Sequence, residues 1–197
     1  MKSKFLDYSM NIISKNCNYN STALEEIKYG LEGIYLTFTK MIVLFGVSFI
    51  LGIVKDFILI LVFYNLIRLN SFGLHCNKSI HCLITSSILF IGGAYLCNKF
   101  NFPLTFMSIT SIISILLLLI YAPADTYKRP LINSKKRFRF KVLSILSGII
   151  YLILIIIYNK YSIVKYMWLG LIEATIMVLP ITYKLFKLPY ANYKNYN

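Results

Sequence analysis

Residues 103–122 of this 197-residue chain read PLTFMSITSIISILLLLIYA, a run of twenty positions without a single charged side chain. A helix that crosses the hydrocarbon core of a bilayer needs about 20 predominantly apolar residues, so this segment has the length and polarity of a transmembrane span. The whole chain has a similar character, since 58% of its residues are hydrophobic and only 14% are charged. Soluble domains carry about a quarter charged residues. The sequence therefore predicts an integral membrane protein.

Five more apolar segments accompany this run, some of them shorter than a perpendicular span requires. The six predicted spans are 34–54, 57–69, 80–97, 103–122, 142–158 and 166–183. Residues 1–33 are polar and mildly amphipathic, and their Thr22-x-x-Glu25 pattern is typical of a helix start, which favours helices lying on the membrane surface. The expected fold class is all-α: a polytopic membrane protein with about six transmembrane helices after N-terminal amphipathic helices. The expected division is an interfacial part at 1–33, a transmembrane domain at 34–185 with a basic loop at 123–141, and a tail at 186–197.

The basic residues predict how these spans are oriented. Sixteen lysines and arginines fall on the side that holds both termini and the loop between the fourth and fifth spans, whereas four fall on the opposite side. Cytoplasmic segments carry the excess of basic residues in membrane proteins. We therefore expect a multi-pass protein of the cell membrane with both termini, and the segment between the second and third spans, in the cytoplasm.

That segment and its flanks, residues 68–82, read RLNSFGLHCNKSIHC and hold both histidines and two of the four cysteines of the protein. A cysteine attacks as its thiolate, and a histidine within hydrogen-bond reach can remove the thiol proton. In one continuous helix, His75 and Cys82 would lie two turns apart, about 10 Å along the axis, which is too far for proton transfer. Gly73 and the polar residues 77–79 instead favour a loop that folds His75 back over a Cys82 placed in the first turn of the third span.

Other combinations of these residues fit less well. His81 is the neighbour of Cys82, and neighbours on a helix point about 100° apart, so it is poorly placed to act as its base. The remaining cysteines lack a well-placed histidine: Cys17, Cys76 and Cys97. The cysteine spacing matches neither a disulfide framework nor a zinc site, so we expect no metal and no cofactor. A purely structural alternative makes His75 an interfacial side chain and Cys82 a small buried one.

The order and spacing of four residues resemble a known family. Arg68, Gly73, His75 and Cys82 match the R…G-x-H-x6-C core of the accessory gene regulator protein B (AgrB) family, whose members are membrane cysteine endopeptidases that mature a quorum-sensing propeptide.

The likeness continues outside the core and covers essentially the whole chain. Tyr29-Gly30-Leu31-Glu32 resembles the Y-G-x-E segment of the family, and Tyr121-Ala122-Pro123-Ala124-Asp125 resembles its P-x-D segment, which a basic segment follows. One position departs from the pattern, because many members carry two glycines before the x-H and the first of them is Phe72 here.

The resemblance implies a specific chemistry. Cys82 would be the nucleophile and His75 the general base of a thiol protease acting on an AgrD-like propeptide, which has an amphipathic start, an internal cysteine or serine and an acidic carboxy-terminal tail. Attack on the bond before the tail would leave an acyl-thioester, and the internal nucleophile of the propeptide would then close a thiolactone or lactone ring. Family members are also expected to form homodimers, and neither a cofactor nor nucleic acid is implied.

Several other polar residues admit two interpretations each. Asp125 could orient His75, or it could be a helix-end residue after Pro123. Glu32 and Arg68 could position the substrate or pair structurally. The basic run could set the topology, contact anionic lipids, or capture the acidic tail of the propeptide; its candidate residues are Lys135, Lys136, Arg137 and Arg139.

Two functions of other classes remain possible from the sequence. A small transporter or export component without peptidase activity would favour Gly/Pro-interrupted helix pairs with several polar residues at mid-membrane, and few such residues are present. A membrane-bound assembly protein would make the proximity of histidine and cysteine accidental.

Overall fold

The computed structural model describes residues 2–16, 20–74, 79–125 and 131–196 and is helical throughout those ranges apart from short connections. A single isolated parallel bridge, between Phe72 and Ala124, is the only β-type pairing among the described residues. The α-helices are α1 (Lys2–Asn16), α2 (Ser21–Ile50), α3 (Val54–Ser71), α4 (Ser79–Ser86), α5 (Gly93–Lys99), α6 (Leu104–Tyr121), α7 (Ser134–Ile157), α8 (Ile163–Ile176) and α9 (Pro180–Leu185). A π-helical segment (Ser87–Gly92) joins α4 to α5, and a 3-10 turn (Asn192–Tyr196) lies near the C-terminus.

The chain divides into two compact units, Met1–Ile50 and Leu51–Asn197. In the first unit α1 packs along α2. The rings of Phe5 and Tyr35 lie 5.3 Å apart, and Lys2 Nζ lies 2.6 Å from Glu32 Oε1. Helix α2 runs without a break from the polar N-terminal region into the apolar segment that was predicted to begin at residue 34.

Helices α3 and α8 form the centre of the second unit. The buried residues of α3 include Phe57, Ile60, Tyr64 and Ile67, which recur at three- and four-residue intervals and therefore lie on one helical face. Most of α8 is buried as well. The two backbones approach closely at Gly170, where an added Cβ would lie 2.8 Å from the backbone nitrogen of Tyr64.

The flanking helices attach to this central pair through apolar packing and a few hydrogen bonds. Tyr151 of α7 donates from its hydroxyl to the carbonyl of Phe63 in α3 over 3.0 Å. Trp168 of α8 donates from its indole nitrogen to the hydroxyl of Thr110 in α6 over 2.7 Å. A buried polar group of this kind needs a partner inside a membrane protein, so these bonds fix how the outer helices sit against the inner ones.

Four helices among the described residues are long and apolar enough to cross a membrane: Ala23–Ile50, Ile80–Lys99, Leu104–Tyr121 and Ser134–Ile157. The other two predicted spans correspond to α3 and α8. Helix α3 carries Lys55, Asp56 and Arg68, and α8 has only 14 residues, or about 21 Å of length. Most of α8 is buried by neighbouring helices, which lowers its need for an apolar outer surface, whereas one face of α3 is exposed. The all-α membrane class is thus supported, while the count of about six spans stays a prediction.

Part of the basic run, within the segment predicted as a loop at 123–141, is helical. Helix α7 begins at Ser134, so Lys135 through Lys141 occupy its first two turns. The side chain of Asn133 accepts a hydrogen bond from the backbone nitrogen of Lys136 at 3.2 Å, and this cap starts the helix ahead of the apolar segment.

Candidate active site

The turn that leaves α3 is held by Arg68, near the end of that helix. Its guanidinium group donates to the hydroxyl of Tyr64 one turn earlier and to the carbonyl of Leu74 beyond the turn, with a longer contact of 3.4 Å to the carbonyl of Gly73. Charge-assisted hydrogen bonds of this type are stronger than neutral ones. Arg68 therefore fixes the backbone immediately before His75.

Gly73 meets two other segments of the chain at close range. Its backbone nitrogen donates to the carbonyl of Ala124 over 2.9 Å, and the nitrogen of Leu74 donates to the carbonyl of Met177 over 2.9 Å. Gly73 has φ +111°, and an added Cβ would lie 2.9 Å from the same carbonyl oxygen of Met177. Both the backbone conformation and the close approach require glycine here.

Phe72, the position that departs from the family pattern, also has a positive φ of 58°. Bulky residues rarely adopt this conformation, whereas glycine does so readily. The phenyl ring packs edge-on against Phe140 of α7, with the ring centroids 4.8 Å apart. The contact with α7 compensates for a backbone geometry that glycine would adopt more easily.

Cys82 is the fourth residue of α4 and is partly buried. It lies within electrostatic range of the Tyr64 hydroxyl, to which Arg68 is bonded. The sequence placed Cys82 in the first turn of its helix, and the structure has it there. His75, Cys76 and Cys17 lie outside the described residues.

The other described cysteine and histidine lie elsewhere. Cys97 is buried in α5, and its Sγ lies 3.6 Å from the carbonyl of Lys165. Cys97 follows Cys82 by fifteen positions, which correspond to about 22 Å of helix, so the two thiols lie near opposite ends of the same helical rod. His81 is exposed, and its ring centroid lies 6.5 Å from that of Phe186 in the residue after α9.

Asp125 is almost fully buried, with 2% of its surface exposed, and it binds the C-terminal segment. One carboxylate oxygen accepts from the backbone nitrogen of Asn192 at 3.1 Å and the other from that of Tyr193 at 2.7 Å. The hydroxyl of buried Tyr183 donates to the backbone carbonyl of Asp125 over 3.0 Å. The described contacts of Asp125 thus anchor the tail, a role that the sequence did not indicate.

The four basic residues singled out from the sequence differ in their surroundings. Arg137 is partly buried, and its Cζ lies 3.6 Å from the ring centroid of Tyr193. The other three are exposed: Lys135, Lys136 and Arg139.

Arg137 lines a cavity of about 500 Å³ between the end of α6, the start of α7 and the C-terminal segment. The cavity also includes Lys141, the last residue of the basic run, and two residues that the sequence analysis missed, Tyr190 and Lys194. The interval of four between Arg137 and Lys141 places both on one helical face and was a signal that could have been read. Lys194 and Tyr190 belong to the C-terminal tail, where no helical spacing indicates that they line the cavity.

Burial raises the pKa of Tyr190 to about 12, and the nearby Tyr121, Tyr193 and Asp125 add to the rise. Its hydroxyl therefore stays protonated at neutral pH and donates to the carbonyl of Tyr121 at 3.4 Å. Glu32, the remaining candidate, pairs with Lys2 in the N-terminal unit. Among the described residues there is no group of histidine, cysteine or carboxylate side chains with the arrangement of a metal site.

These features define a polytopic helical membrane protein with a cysteine at the start of one helix, beside an arginine-braced turn. The model of the family described as Accessory gene regulator B matches residues 6–179, and the chain belongs to this family. The resemblance that the sequence motifs predicted is therefore confirmed, and it connects the chain with quorum-sensing processing.

Named relatives agree along most of the chain. A putative AgrB-like protein of Clostridium acetobutylicum is 34% identical over 181 residues, which cover 92% of this chain and 87% of the relative. The accessory gene regulator protein B of Staphylococcus aureus is 31% identical over 176 residues, covering 89% and 93%. A putative AgrB-like protein of Listeria innocua is 27% identical over 173 residues, covering 87% and 84%. No solved structure matches the chain.

Proposed function

We propose that this protein is a membrane-embedded cysteine endopeptidase that removes the acidic carboxy-terminal tail from an AgrD-like propeptide. The observation that carries the proposal is the junction between α3 and α4. Arg68 and Gly73 fix the chain just before His75, and Cys82 follows in the first turn of α4. A fixed turn of this kind can hold a base and a nucleophile together although seven positions separate them in sequence.

In the proposed reaction, the Cys82 sulfur attacks the carbonyl carbon of the bond before the tail while His75 accepts the thiol proton. His75 then delivers this proton to the departing amine, and the acidic tail leaves with a free amino terminus. An internal thiol or hydroxyl of the propeptide next attacks the acyl-thioester, closes a thiolactone or lactone ring, and returns a proton to the Cys82 thiolate. Exclusion of water favours ring closure over hydrolysis.

Two further residues are proposed to position this pair. Arg68 is assigned as a positioning residue because it braces the backbone at Gly73 and Leu74. Asp125 is proposed to position His75 indirectly, since its segment bonds both to the tail and, through Ala124, to Gly73. The proposed assembly is a homodimer with both termini and Cys82 at the cytoplasmic face.

The decisive experiment replaces the proposed nucleophile. Cys82→Ala should abolish cleavage of the propeptide, because it removes the sulfur that would form the acyl intermediate, while the amount of membrane-inserted protein stays normal. Cleavage is followed by the mass shift of a tagged propeptide in membranes that contain both proteins.

Cys97→Ala is the matched control, since it removes a thiol from the far end of the same helical rod, and it should retain most activity. Cys17→Ala and Cys76→Ala should also cleave. Normal cleavage by Cys82→Ala, or full loss in an inserted Cys76→Ala, would contradict the assignment of the nucleophile.

The base is tested with the two histidines of the chain. His75→Ala should lower the rate by about 10²–10⁴, the usual contribution of a general base. His81→Ala should remain largely active, because its side chain is exposed and lies near Phe186. The pH dependence of alkylation at Cys82 provides a second readout that does not need substrate. An identical pH profile in the wild type and in His75→Ala would show that His75 does not activate the thiol.

A further inference from the structure

We propose that the cavity beside α7 binds carboxylate groups of an acidic peptide, with Arg137, Lys141 and Lys194 as its cationic side chains. This deepens the proposed function, on which it rests, because the peptide would be the acidic tail that the enzyme removes. The proposal also divides the basic run into residues that bind the peptide and residues that do not.

The cavity is built from three segments that are distant in sequence. The end of α6 and residues 122–125 form one wall, the first two turns of α7 form another, and residues 190–194 of the tail close the third. Arg137 and Lys141 face it from α7, and Lys194 faces it from the tail. Three cationic side chains, two from α7 and one from the tail, therefore line the same cavity.

Arg137 provides a donor that lacks an acceptor. The nitrogen Nη1 of its guanidinium group is buried and makes no hydrogen bond to the described residues. The face of the group is covered by the Tyr193 ring at 3.6 Å, a contact that satisfies the charge in part but not the N–H donors. A buried charged donor without an acceptor is costly, and a bound carboxylate would supply the acceptor.

One carboxylate also lines the cavity, and it does not neutralise the site. Asp125 directs one oxygen at the backbone nitrogen of Asn192 and the other at that of Tyr193. Both oxygens of the Asp125 carboxylate therefore bind the tail. The cavity lining has three cationic side chains against this one carboxylate. The local field favours an anion in the space between α7 and the tail.

The size and the walls of the cavity fit a peptide better than a single phosphate. About 500 Å³ is enough for several residues, and the apolar side chains of Ile120, Ala122 and Pro123 line the cavity together with the cations. A segment with acidic side chains on one edge and a backbone on the other would use both surfaces. A lipid headgroup would use only the cationic one.

The position of the cavity relates it to the proposed catalytic residues. Residues 122–125 form its wall, and the same short segment bonds to the turn before His75, where Ala124 accepts from Gly73 at 2.9 Å and donates to Ser71 at 3.0 Å. A tail held on one side of this segment would extend from a scissile bond presented on the other side. Two-point attachment of that type raises the effective concentration of the scissile bond at the nucleophile.

The test measures binding without cleavage. The full chain with Cys82→Ala is placed in nanodiscs of zwitterionic lipid and titrated with a fluorescent Glu-rich peptide and with its Gln-substituted counterpart. We expect binding of the Glu-rich peptide alone, and Arg137→Gln with Lys141→Gln should weaken it about tenfold or more, as loss of charge-assisted hydrogen bonds predicts.

Matched pairs distinguish the cavity from a diffuse field. Lys136→Gln with Arg139→Gln removes the same charge from the same turns of α7 but from exposed positions, so it should weaken binding much less. Lys184→Gln with Lys187→Gln, exposed and outside the cavity, should have the least effect. Equal weakening by all three pairs would overturn the proposal, because charge alone would then account for binding.

Two further arms keep the test decisive. If the Arg137 variant fails to insert, Lys141→Gln and Lys194→Gln singly should each weaken binding, and unchanged binding in both would overturn the proposal.

Adding anionic lipid to the nanodiscs should leave the affinity for the peptide within about threefold, apart from ordinary screening of charge. Displacement of the peptide by anionic lipid in the wild type, with no such displacement in the Arg137/Lys141 pair, would assign the cavity to a headgroup instead. Failure of the wild type to cleave a propeptide would refute the proposed function while this binding result stands separately.

Discussion

At the scale of single residues, the turn between α3 and α4 depends on two consecutive positive φ angles. Gly73 tolerates its φ of +111° without cost, whereas Phe72 must adopt 58° with a full side chain. A residue with a Cβ that is held in such a sparsely populated backbone conformation costs about 1–3 kcal/mol. The ring contact with Phe140 offsets that loss, so the site tolerates a residue that its backbone does not favour.

This balance predicts an inverted order of stability for two substitutions at Phe72. Both Phe72→Ala and Phe72→Gly remove the ring, but only glycine also relieves the backbone. Elsewhere Gly is less stable than Ala by about 0.5–1 kcal/mol, yet here Phe72→Gly should be at least as stable as Phe72→Ala. Thermal unfolding in detergent measures the order, with propeptide cleavage as a second readout. A clear advantage of Phe72→Ala would mean that the turn is not held at positive φ.

At the scale of elements, the second unit is organised by the contact between α3 and α8. Gly170 permits it, because any Cβ there would lie 2.8 Å from the nitrogen of Tyr64 and 3.1 Å from the carbonyl carbon of Phe63. Both are backbone atoms and cannot move aside as a flexible side chain does. Small residues let membrane helices approach in this way.

Gly170→Ala should therefore lower stability although alanine is the better helix former. Overpacking of a tight contact costs about 1–3 kcal/mol, which exceeds the gain of about 1 kcal/mol from helix propensity. Gly92→Ala is the control, since a Cβ at that helical position meets nothing within 4 Å. The midpoint of thermal unfolding should fall for Gly170→Ala and hold or rise for Gly92→Ala. Equal midpoints would show that the helices can separate freely at Gly170.

At the scale of the whole molecule, the helix ends of the second unit separate its basic residues. Arg68, the start of α7 and the lysines after α8 lie at the end that carries Cys82. Four lysines lie at the other helix ends: Lys55, Lys99, Lys160 and Lys165. The excess of charge at the Cys82 end favours the proposed cytoplasmic placement of that end.

Orientation is tested by labelling single cysteines in a cysteine-free background. Lys160→Cys should react with an impermeant thiol reagent applied to intact cells, because it lies between α7 and α8 at the predicted outer face. Lys135→Cys should react only after the membrane is permeabilised. The reverse pattern would place the start of α7 outside and contradict delivery of the propeptide from the cytoplasm.

The sequence by itself determined the class of the protein and its family. Apolar runs report helices directly, since every backbone group in a bilayer must be bonded within its own segment. The local order of Arg68, Gly73, His75 and Cys82 was enough to indicate the family. That Lys135 through Lys141 are helical became clear only in the structure, where the cap at Asn133 starts α7.

Only the tertiary structure decided what surrounds the proposed site. The bonds from Gly73 to Ala124 and from Leu74 to Met177 join segments that lie far apart in the chain, and those from Asp125 to the tail span 67 and 68 residues. Such contacts arise from the packing of α3, α6, α7 and α8. Periodicity and spacing report only neighbours within a few turns, so they carry no signal for these contacts or for the cavity at Arg137.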